Sequence, residues 1–348
     1  MTRRLLVLLG VLAGFAPGAE AATPPVSAEA LLAAGIPWPT VRQVAGADWW
    51  PQVPQFETPP LFRQPLPKRP LAVTSQWYVR PGADSGIQTT LVAFAGTTEP
   101  GVCPLLAEAD GVPINARVPA VGKSHVFWVP GDSAAPVTIL CFERGPVMVE
   151  VKVLGETWSA AKLGRLGAPV DANVKALLAG KLPHGVGSAT LGLLPAHADA
   201  PGKELGTALV PAEAWASNAT DPTPQQLAGQ LNRGGSTSLP YRRYLLSDGT
   251  NVVDLTLFRF RSAVAAKSWF ARLDRASSAA SIPLTADGTG AQSLFRQVEE
   301  QYYVLDFVAG NAVADIACYA PYGEKPSTTC AAALRKLGPR WYAQLARA

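Results

Sequence analysis

The chain has 348 residues, of which 48% are hydrophobic and 16% are charged, and its net charge at pH 7 is +4. This apolar content excludes a wholly disordered protein, and the near-neutral charge excludes the basic surface expected of a nucleic-acid-binding protein. The length allows two domains of ordinary size.

Residues 1–21 predict a secretory signal peptide. Two arginines at positions 3–4 precede a short apolar run at 5–16, and Ala-Glu-Ala at 19–21 matches a cleavage site. The run is too short to span a bilayer as a helix. Cleavage removes two arginines and one glutamate, which lowers the net charge from +4 to +3. We therefore expect a secreted or periplasmic protein of the cell envelope, soluble and without an integral membrane segment after cleavage.

Residues 22–70 predict a short helix followed by an arm rich in proline and tryptophan. Ser27 suits the N-cap of a helix that ends near residue 34. The many prolines that follow predict neither a regular helix nor a central strand. The rings of Trp49 and Trp50 either pack over the first module or form an exposed platform for sugars or proline-rich partners. Packing is favoured, because an exposed indole ring is costly without a partner.

Residues 121–153 and 290–318 match each other and indicate one module used twice. Phe142 corresponds to Phe307, and Gly145 corresponds to Gly310. The flanking segments also correspond in order: strands 86–95 and 250–259, helices 103–110 and 262–276, and closing helices 170–178 and 328–345. Alternation of apolar residues at period two predicts half-buried strands in both copies.

Each copy predicts a tight hairpin with a glycine in the turn. The expected turns are residues 144–145 and 309–310, which would place Phe142 opposite Val147. Together these patterns predict an α+β fold of two tandem related modules, each a mainly antiparallel sheet with helices packed on one face. The predicted domains are a first module at 71–181, a Gly-, Ala- and Pro-rich linker at 182–206, and a second module at 207–348.

Four cysteines in an exported chain predict two disulfides. Three pairings are possible, and one bridge per module favours Cys103–Cys141 and Cys318–Cys330. Cys318 should face the core at the end of its strand, where the helix that starts near Cys330 packs. Cys141 points away from the Phe142 face, so Cys103 must approach from the other side of the sheet. The sequence contains no Cys-x-x-Cys motif, so a zinc site is not expected. No cofactor is expected either.

The sequence contains no Gly-x-Ser-x-Gly elbow and no phosphate-binding loop. Its most notable polar set is Asp254, Asp306 and Asp315, on the face of the second sheet opposite the predicted core. In the expected register Asp306 and Asp315 are diagonal neighbours. Such carboxylates could hold a cation or perform acid–base chemistry. The alternatives are that they form a solvated sheet face, or that they pair with Arg259 or Arg261.

The order of elements resembles the secreted sensor-like modules of actinobacterial envelope proteins, including the extracellular domains of some receptor kinases and related lipoproteins. The resemblance rests on Val-Pro-Ala-Val-Gly at 118–122, on the strand–Gly–strand hairpins, and on Ala-Leu-Val-Pro-Ala-Glu at 208–213. The sequence contains no kinase domain and no lipidation cysteine. The resemblance implies ligand or partner binding and supplies no catalytic residues.

We therefore expect an exported, non-catalytic protein that binds an unidentified envelope ligand or protein in the groove between its modules. One alternative is an exported hydrolase that uses the acidic face of the second module. Another is a secreted interaction protein that docks through its Pro/Trp-rich arm.

Overall fold

The computed structural model describes residues 26–57, 69–110, 112–113, 118, 121, 123–129, 137–182, 191–195, 197–217, 219, 222–276, 281–284, 288–290, 292–298, 302–320 and 325–348. The predicted signal peptide lies outside these ranges. No helix within them is both long and apolar enough to cross a membrane.

The strands form two antiparallel sheets. The first contains β1 (Trp50–Pro51), β2 (Gln55–Glu57), β3 (Pro70–Val79), β4 (Gly86–Phe94), β5 (Val112–Pro113), β6 (Ser124–Val129), β7 (Val137–Arg144) and β8 (Val147–Leu154). The second contains β9 (Gly202–Pro211), β10 (Ser238–Leu246), β11 (Val252–Arg259), β12 (Ser281–Leu284), β13 (Ser293–Val298), β14 (Tyr302–Ala309) and β15 (Ala312–Tyr319).

Both sheets have the same strand order. The first is β1-β3-β4-β8-β7-β6-β5, with β2 also paired to β3, and the second is β9-β10-β11-β15-β14-β13-β12. The last strand of the first sheet, β8, pairs with β4, and the last strand of the second sheet, β15, pairs with β11 in the same way. The predicted α+β class with two tandem related modules is confirmed.

The helices are α1 (Ala28–Ala34), α2 (Trp38–Ala45), α3 (Val102–Asp110), α4 (Ala160–Leu178), α5 (Ala212–Ala216), α6 (Pro224–Gly234), α7 (Ala263–Ala276) and α8 (Thr328–Leu345). Helix α2 corrects the expectation that the arm contains no regular helix. Pro39 lies in its first turn, where the missing N–H has no intrahelical partner to lose. Prolines therefore help to start this helix and do not prevent it.

Helices cover both faces of each sheet, one more layer per module than the sequence predicted. In the first sheet Leu140 packs in the cluster that includes α4, whereas Cys141 packs in the cluster on the other face with α3. In the second sheet Phe307 packs with α8, and Val313 packs in the cluster that includes α7. Strand residues of both parities are therefore buried.

Both central hairpins turn one residue later than predicted. Arg144 pairs with Val147 and Ala309 pairs with Ala312, so each glycine is the first residue of its turn. Gly145 has a φ of 49° and Gly310 a φ of 59°, as the first position of a primed turn requires. Each residue keeps its predicted face of the sheet, because a turn one residue later shifts every cross-strand pair by two residues.

The two modules meet through the arm and helix α1. Ala30 and Leu31 of α1 pack in the first core, and Ala28 packs in a core cluster of the second module. The adjacent Glu29 accepts a hydrogen bond of 3.2 Å from the backbone N–H of Thr207. One helix therefore contributes to both cores.

Phe56 of β2 forms the second junction. It is fully buried in a core cluster of the second module and stacks on Tyr241, with ring centroids 6.3 Å apart. The ring lies so close to Gly206 that a Cβ added there would be 2.6 Å from it. A glycine at this position of β9 allows the ring to approach the strand.

Strand β9 begins at Gly202, so the last part of the predicted linker at 182–206 is a strand. Part of the remaining linker is also packed, since Leu194 is buried in the second module. The Nε1 of Trp341 donates to the Leu193 carbonyl at 2.8 Å. Leu193 and Leu194 of the predicted linker therefore lie against α8.

Helix α8 is held at its start by the turn between β10 and β11. Asp248 accepts hydrogen bonds from the backbone N–H groups of Thr250 and Asn251 at 3.1 and 3.0 Å, and from Ser327 Oγ at 3.0 Å. Ser327 is the N-cap residue of α8. Burial alone would raise the pKa of Asp248, but the hydrogen bonds from Asn251, Thr329 and Thr250 outweigh it and lower that pKa.

Substitution of Gly206 should test the Phe56 junction. Gly206→Ala presses a methyl group onto the ring and should lower the free energy of unfolding by about 1–3 kcal/mol. In a Phe56→Ala background the methyl group meets no ring. The same change should then be neutral or stabilising by up to about 1 kcal/mol, because it restricts the unfolded chain. Denaturant unfolding of the four proteins measures the cycle, and additive effects would show that these residues do not interact.

Asp248→Asn should lower the free energy of unfolding near neutral pH by about 1 kcal/mol, since it weakens the cap of α8. The lowered pKa means that the carboxylate stabilises the fold above its unfolded pKa and stops doing so as the pH falls. The difference from wild type should therefore shrink in acid. Thermal melts from pH 3 to pH 7 measure it. Asp84→Asn, an exposed change in the first module, is the control and should leave the melting temperature at neutral pH close to that of wild type.

Candidate functional site

The predicted acidic face is buried in the structure. Asp306 and Asp315 are directly opposite each other on β14 and β15, which corrects the diagonal arrangement expected from the misplaced turn. The side chain of Asp306 is 0% exposed, and Asp315 is half-buried. Because α7 contacts both strands, these carboxyl groups do not form a solvated sheet face.

Arg296 of β13 is the cationic partner of this pair. Its Nη1 lies 2.8 Å from Oδ2 of Asp306. Neither Oδ atom of Asp306 has a well-aligned hydrogen bond among the described residues, so the contact is an ion pair with poor hydrogen-bond geometry. Buried charges with incomplete hydrogen bonding contribute little net stability.

The pKa values of both aspartates are raised. Burial raises the pKa of Asp306, while the positive charge of Arg296 and the neighbouring Asp315 carboxyl group oppose that rise. Burial also raises the pKa of Asp315, and the Asp306 carboxylate raises it further. Asp315 therefore keeps its proton to a higher pH than an exposed aspartate does, since two adjacent carboxyl groups away from water cannot both ionise cheaply.

Asp254 belongs to a separate network. Arg243 contacts it through Nε at 2.8 Å and Nη2 at 3.2 Å. The hydroxyl groups of Tyr241 and Tyr319 donate to its two oxygens, each at 2.8 Å. Burial raises the pKa of both tyrosines, so they remain neutral donors. The predicted partner Arg259 is exposed and does not take part.

The acidic residues therefore offer no open position for a metal ion. Asp254 is saturated by three side chains, and Asp306 already faces an arginine. No group of three His, Cys, Asp or Glu side chains among the described residues has an arrangement that could hold a metal.

The corresponding position of the first module contains a different pair. Cys141 lies opposite Glu150, in the place that Asp306 and Asp315 occupy in the second sheet. Cys141 forms a disulfide with Cys103, and Glu150 lies 2.8 Å from Nζ of Lys152. The acidic pair is therefore specific to the second module.

Both predicted disulfides are confirmed. Cys103 is bonded to Cys141, and Cys318 is bonded to Cys330. As the parity of β7 indicated, Cys103 reaches Cys141 from the face opposite Phe142. Cys318 faces the core beneath α8, where Cys330 is also buried.

The two candidate tryptophans do not form an exposed platform. Trp49 is fully buried in the first core, and the Nε1 of Trp38 donates to its carbonyl at 2.8 Å. Trp50 is half-buried and pairs with Val79 at the sheet edge.

A groove of about 560 Å³ lies between the modules. One wall is the β3–β4 turn, residues 79–83, and the other is formed by Ser217, Ala219 and residues 223–225 near α6. We call it the inter-module groove. These short segments have ordinary turn composition, so no sequence motif marks them as a site.

Arg80 fixes the wall of the inter-module groove that belongs to the first module. Its Nε lies 2.9 Å from Asp48, its Nη2 lies 3.3 Å from Glu156, and its guanidinium group lies 5.1 Å from the centre of the Trp49 ring. The two carboxylates neutralise the arginine, and the side chain is held on three sides.

No family model and no curated protein matches the chain. Solved structures with some similarity to it include the crystal structure of the extracellular domain of PknH from Mycobacterium tuberculosis, with 14% sequence identity and a TM-score of 0.28. The match covers 44% of this chain and 99% of that chain. At this TM-score the likeness is weak and carries no argument about function.

Asparagine substitutions should separate the two buried carboxyl groups. Asp306→Asn leaves Arg296 without its anion and should lower the free energy of unfolding by about 3–5 kcal/mol. Asp315→Asn keeps a neutral donor beside Asp306 and should cost much less.

The same pair predicts an unusual pH dependence. The raised pKa of Asp315 stabilises the fold fully below its unfolded value of about 3.9, and this stabilisation is lost as the pH rises through the folded pKa. Asp315→Asn should remove this decline, as denaturant unfolding from pH 4 to pH 9 would measure. Parallel pH curves for wild type and variant would contradict the raised pKa of Asp315.

Proposed function

We propose that this protein is an exported, non-catalytic binding protein of the cell envelope, and that it holds its ligand or partner in the inter-module groove. The observation that carries the proposal is the groove itself, which has one wall from each module. Its volume of about 560 Å³ lies within the range of roughly 300–1,000 Å³ common for small-molecule sites.

A groove between two modules can serve as a site only if its walls keep their positions. The shared helix α1 and the buried Phe56 join the modules, and Arg80 is braced by two carboxylates and a tryptophan. These contacts support a preorganised site, which reduces the entropy lost on binding.

Export is part of the proposal. The predicted signal peptide and the two disulfides support it together, since disulfides persist in oxidising compartments. The identity of the ligand or partner is left to experiment.

The alternatives have less support. A hydrolase acting through Asp306 and Asp315 would need carboxyl groups that substrate can reach, but Asp306 is fully buried against Arg296. Docking through exposed rings of the arm is disfavoured by the burial of Trp49 and Phe56.

Native mass spectrometry of the oxidised protein purified from its own culture tests the proposal. We expect an added mass that disappears on denaturation. Ala83→Trp and Gln225→Trp, which fill the groove from opposite walls, should reduce the added mass. Val264→Trp, on an exposed position of α7, is the control and should retain it.

The outcomes distinguish whether the protein binds a ligand from whether the ligand lies in the inter-module groove. An added mass that persists in both groove variants would support binding but place the site elsewhere. If the wild-type protein carries no added mass and captures no partner from its culture, the binding proposal fails.

A further inference from the structure

A second cavity lies on the second module, between α6 and α7, and has a volume of about 270 Å³. We call it the α6–α7 cavity. Its lining includes Gln230, Arg233, Ser268, Trp269 and Arg272, with Phe260 at its floor. None of these residues lines the inter-module groove, so the two recesses are independent.

The charged groups that line the α6–α7 cavity are both cationic. Arg233 and Arg272 project from facing helices and are exposed. Arg272 Nη1 donates to Gln230 Oε1 at 2.5 Å, and no ion pair joins either arginine to a carboxylate among the described residues. Two guanidinium groups facing one recess create a local preference for an anion, and each can bind a carboxylate through two parallel hydrogen bonds.

The base of the α6–α7 cavity adds a buried donor. Trp269 is 4% exposed, and its Nε1 has no hydrogen-bond partner among the described residues. A buried indole N–H usually has an acceptor. An anion in this cavity would supply one.

The indole ring is fixed before any ligand arrives. Trp215, Phe258 and Phe260 surround Trp269, each with its ring centroid 6.0 Å away. Gly234 lies against the Phe260 ring, and a Cβ added there would come within 2.8 Å of it. The floor is therefore rigid and apolar, whereas the rim is polar and cationic.

From this arrangement we infer that the α6–α7 cavity binds a small organic carboxylate that carries an apolar group. The carboxylate lies between Arg233 and Arg272 and accepts the Trp269 Nε1–H, and the apolar group packs on the aromatic floor. The apolar floor favours such a ligand over inorganic phosphate, which has no group to place there.

Benzoate and inorganic phosphate are the probes for this site, titrated separately into the full oxidised protein. The signal is the Trp269 indole N–H peak in a ¹H–¹⁵N spectrum, assigned by its loss in Trp269→Phe. Benzoate should shift this peak saturably. The Arg233→Gln/Arg272→Gln protein should bind benzoate at least about tenfold more weakly, because it loses two charge-assisted contacts.

Two control variants test whether the effect on benzoate binding is specific to the α6–α7 cavity. Lys267→Gln removes an exposed positive charge from α7 outside the cavity lining and should bind benzoate as wild type does. Ala83→Trp, which blocks the inter-module groove, should also leave benzoate binding unchanged, so this test does not depend on the proposed function.

Three results would overturn the inference. The site is wrong if neither probe shifts the Trp269 peak, or if the double arginine variant binds benzoate as tightly as wild type while its circular dichroism is unchanged. A phosphate-induced shift without a benzoate-induced shift would refute the apolar carboxylate as ligand.

Discussion

The packing of Phe56 against Gly206 is the contact on which the relation between the two modules depends. A ring from the edge of the first sheet enters the core of the second, and it can do so because β9 has no side chain at that position. Helix α1 reinforces the junction by contributing to both cores. Leu32, Val53 and Ala72 also pack against this core cluster of the second module, so apolar contacts join the two modules.

Burial on both faces of each sheet explains the behaviour of the polar strand residues. A two-layer module would leave Asp254, Asp306 and Asp315 in water, where they would be ordinary anions. The helices on the second face exclude water from Asp306, and each carboxyl group must then find a partner or a proton. Asp254 has an arginine and two tyrosines, and Asp306 has Arg296, while burial raises the pKa of Asp315.

Much of the fold is predictable from the sequence because period-two alternation fixes the face of each residue. The parity of Cys141 and Phe142 alone placed Cys103 on the correct side of the first sheet. The position of a turn is harder to predict, because a glycine with positive φ suits either central residue of a primed turn. That ambiguity of one residue was enough to misplace Asp306 relative to Asp315.

The candidate sites were less predictable for a different reason. The inter-module groove and the α6–α7 cavity are made of residues that are distant in sequence and ordinary in type, such as Arg80, Gln225 and Arg233. The spacing of apolar and polar residues within one strand or helix does not indicate which other element packs against it. The buried Asp306 illustrates the same limit, since the strand pattern cannot say whether a further layer covers its polar face.

The duplicated hairpin carries different chemistry at one matched position. In the first module the inner strand is tied through Cys141 to α3, and in the second the same place holds Asp306 opposite Asp315, whose pKa is raised by burial. One copy is therefore vulnerable here to a reductant, and the other to a base. Two modules with the same fold therefore depend, at this matched position, on two different properties of the solvent: its redox potential and its pH.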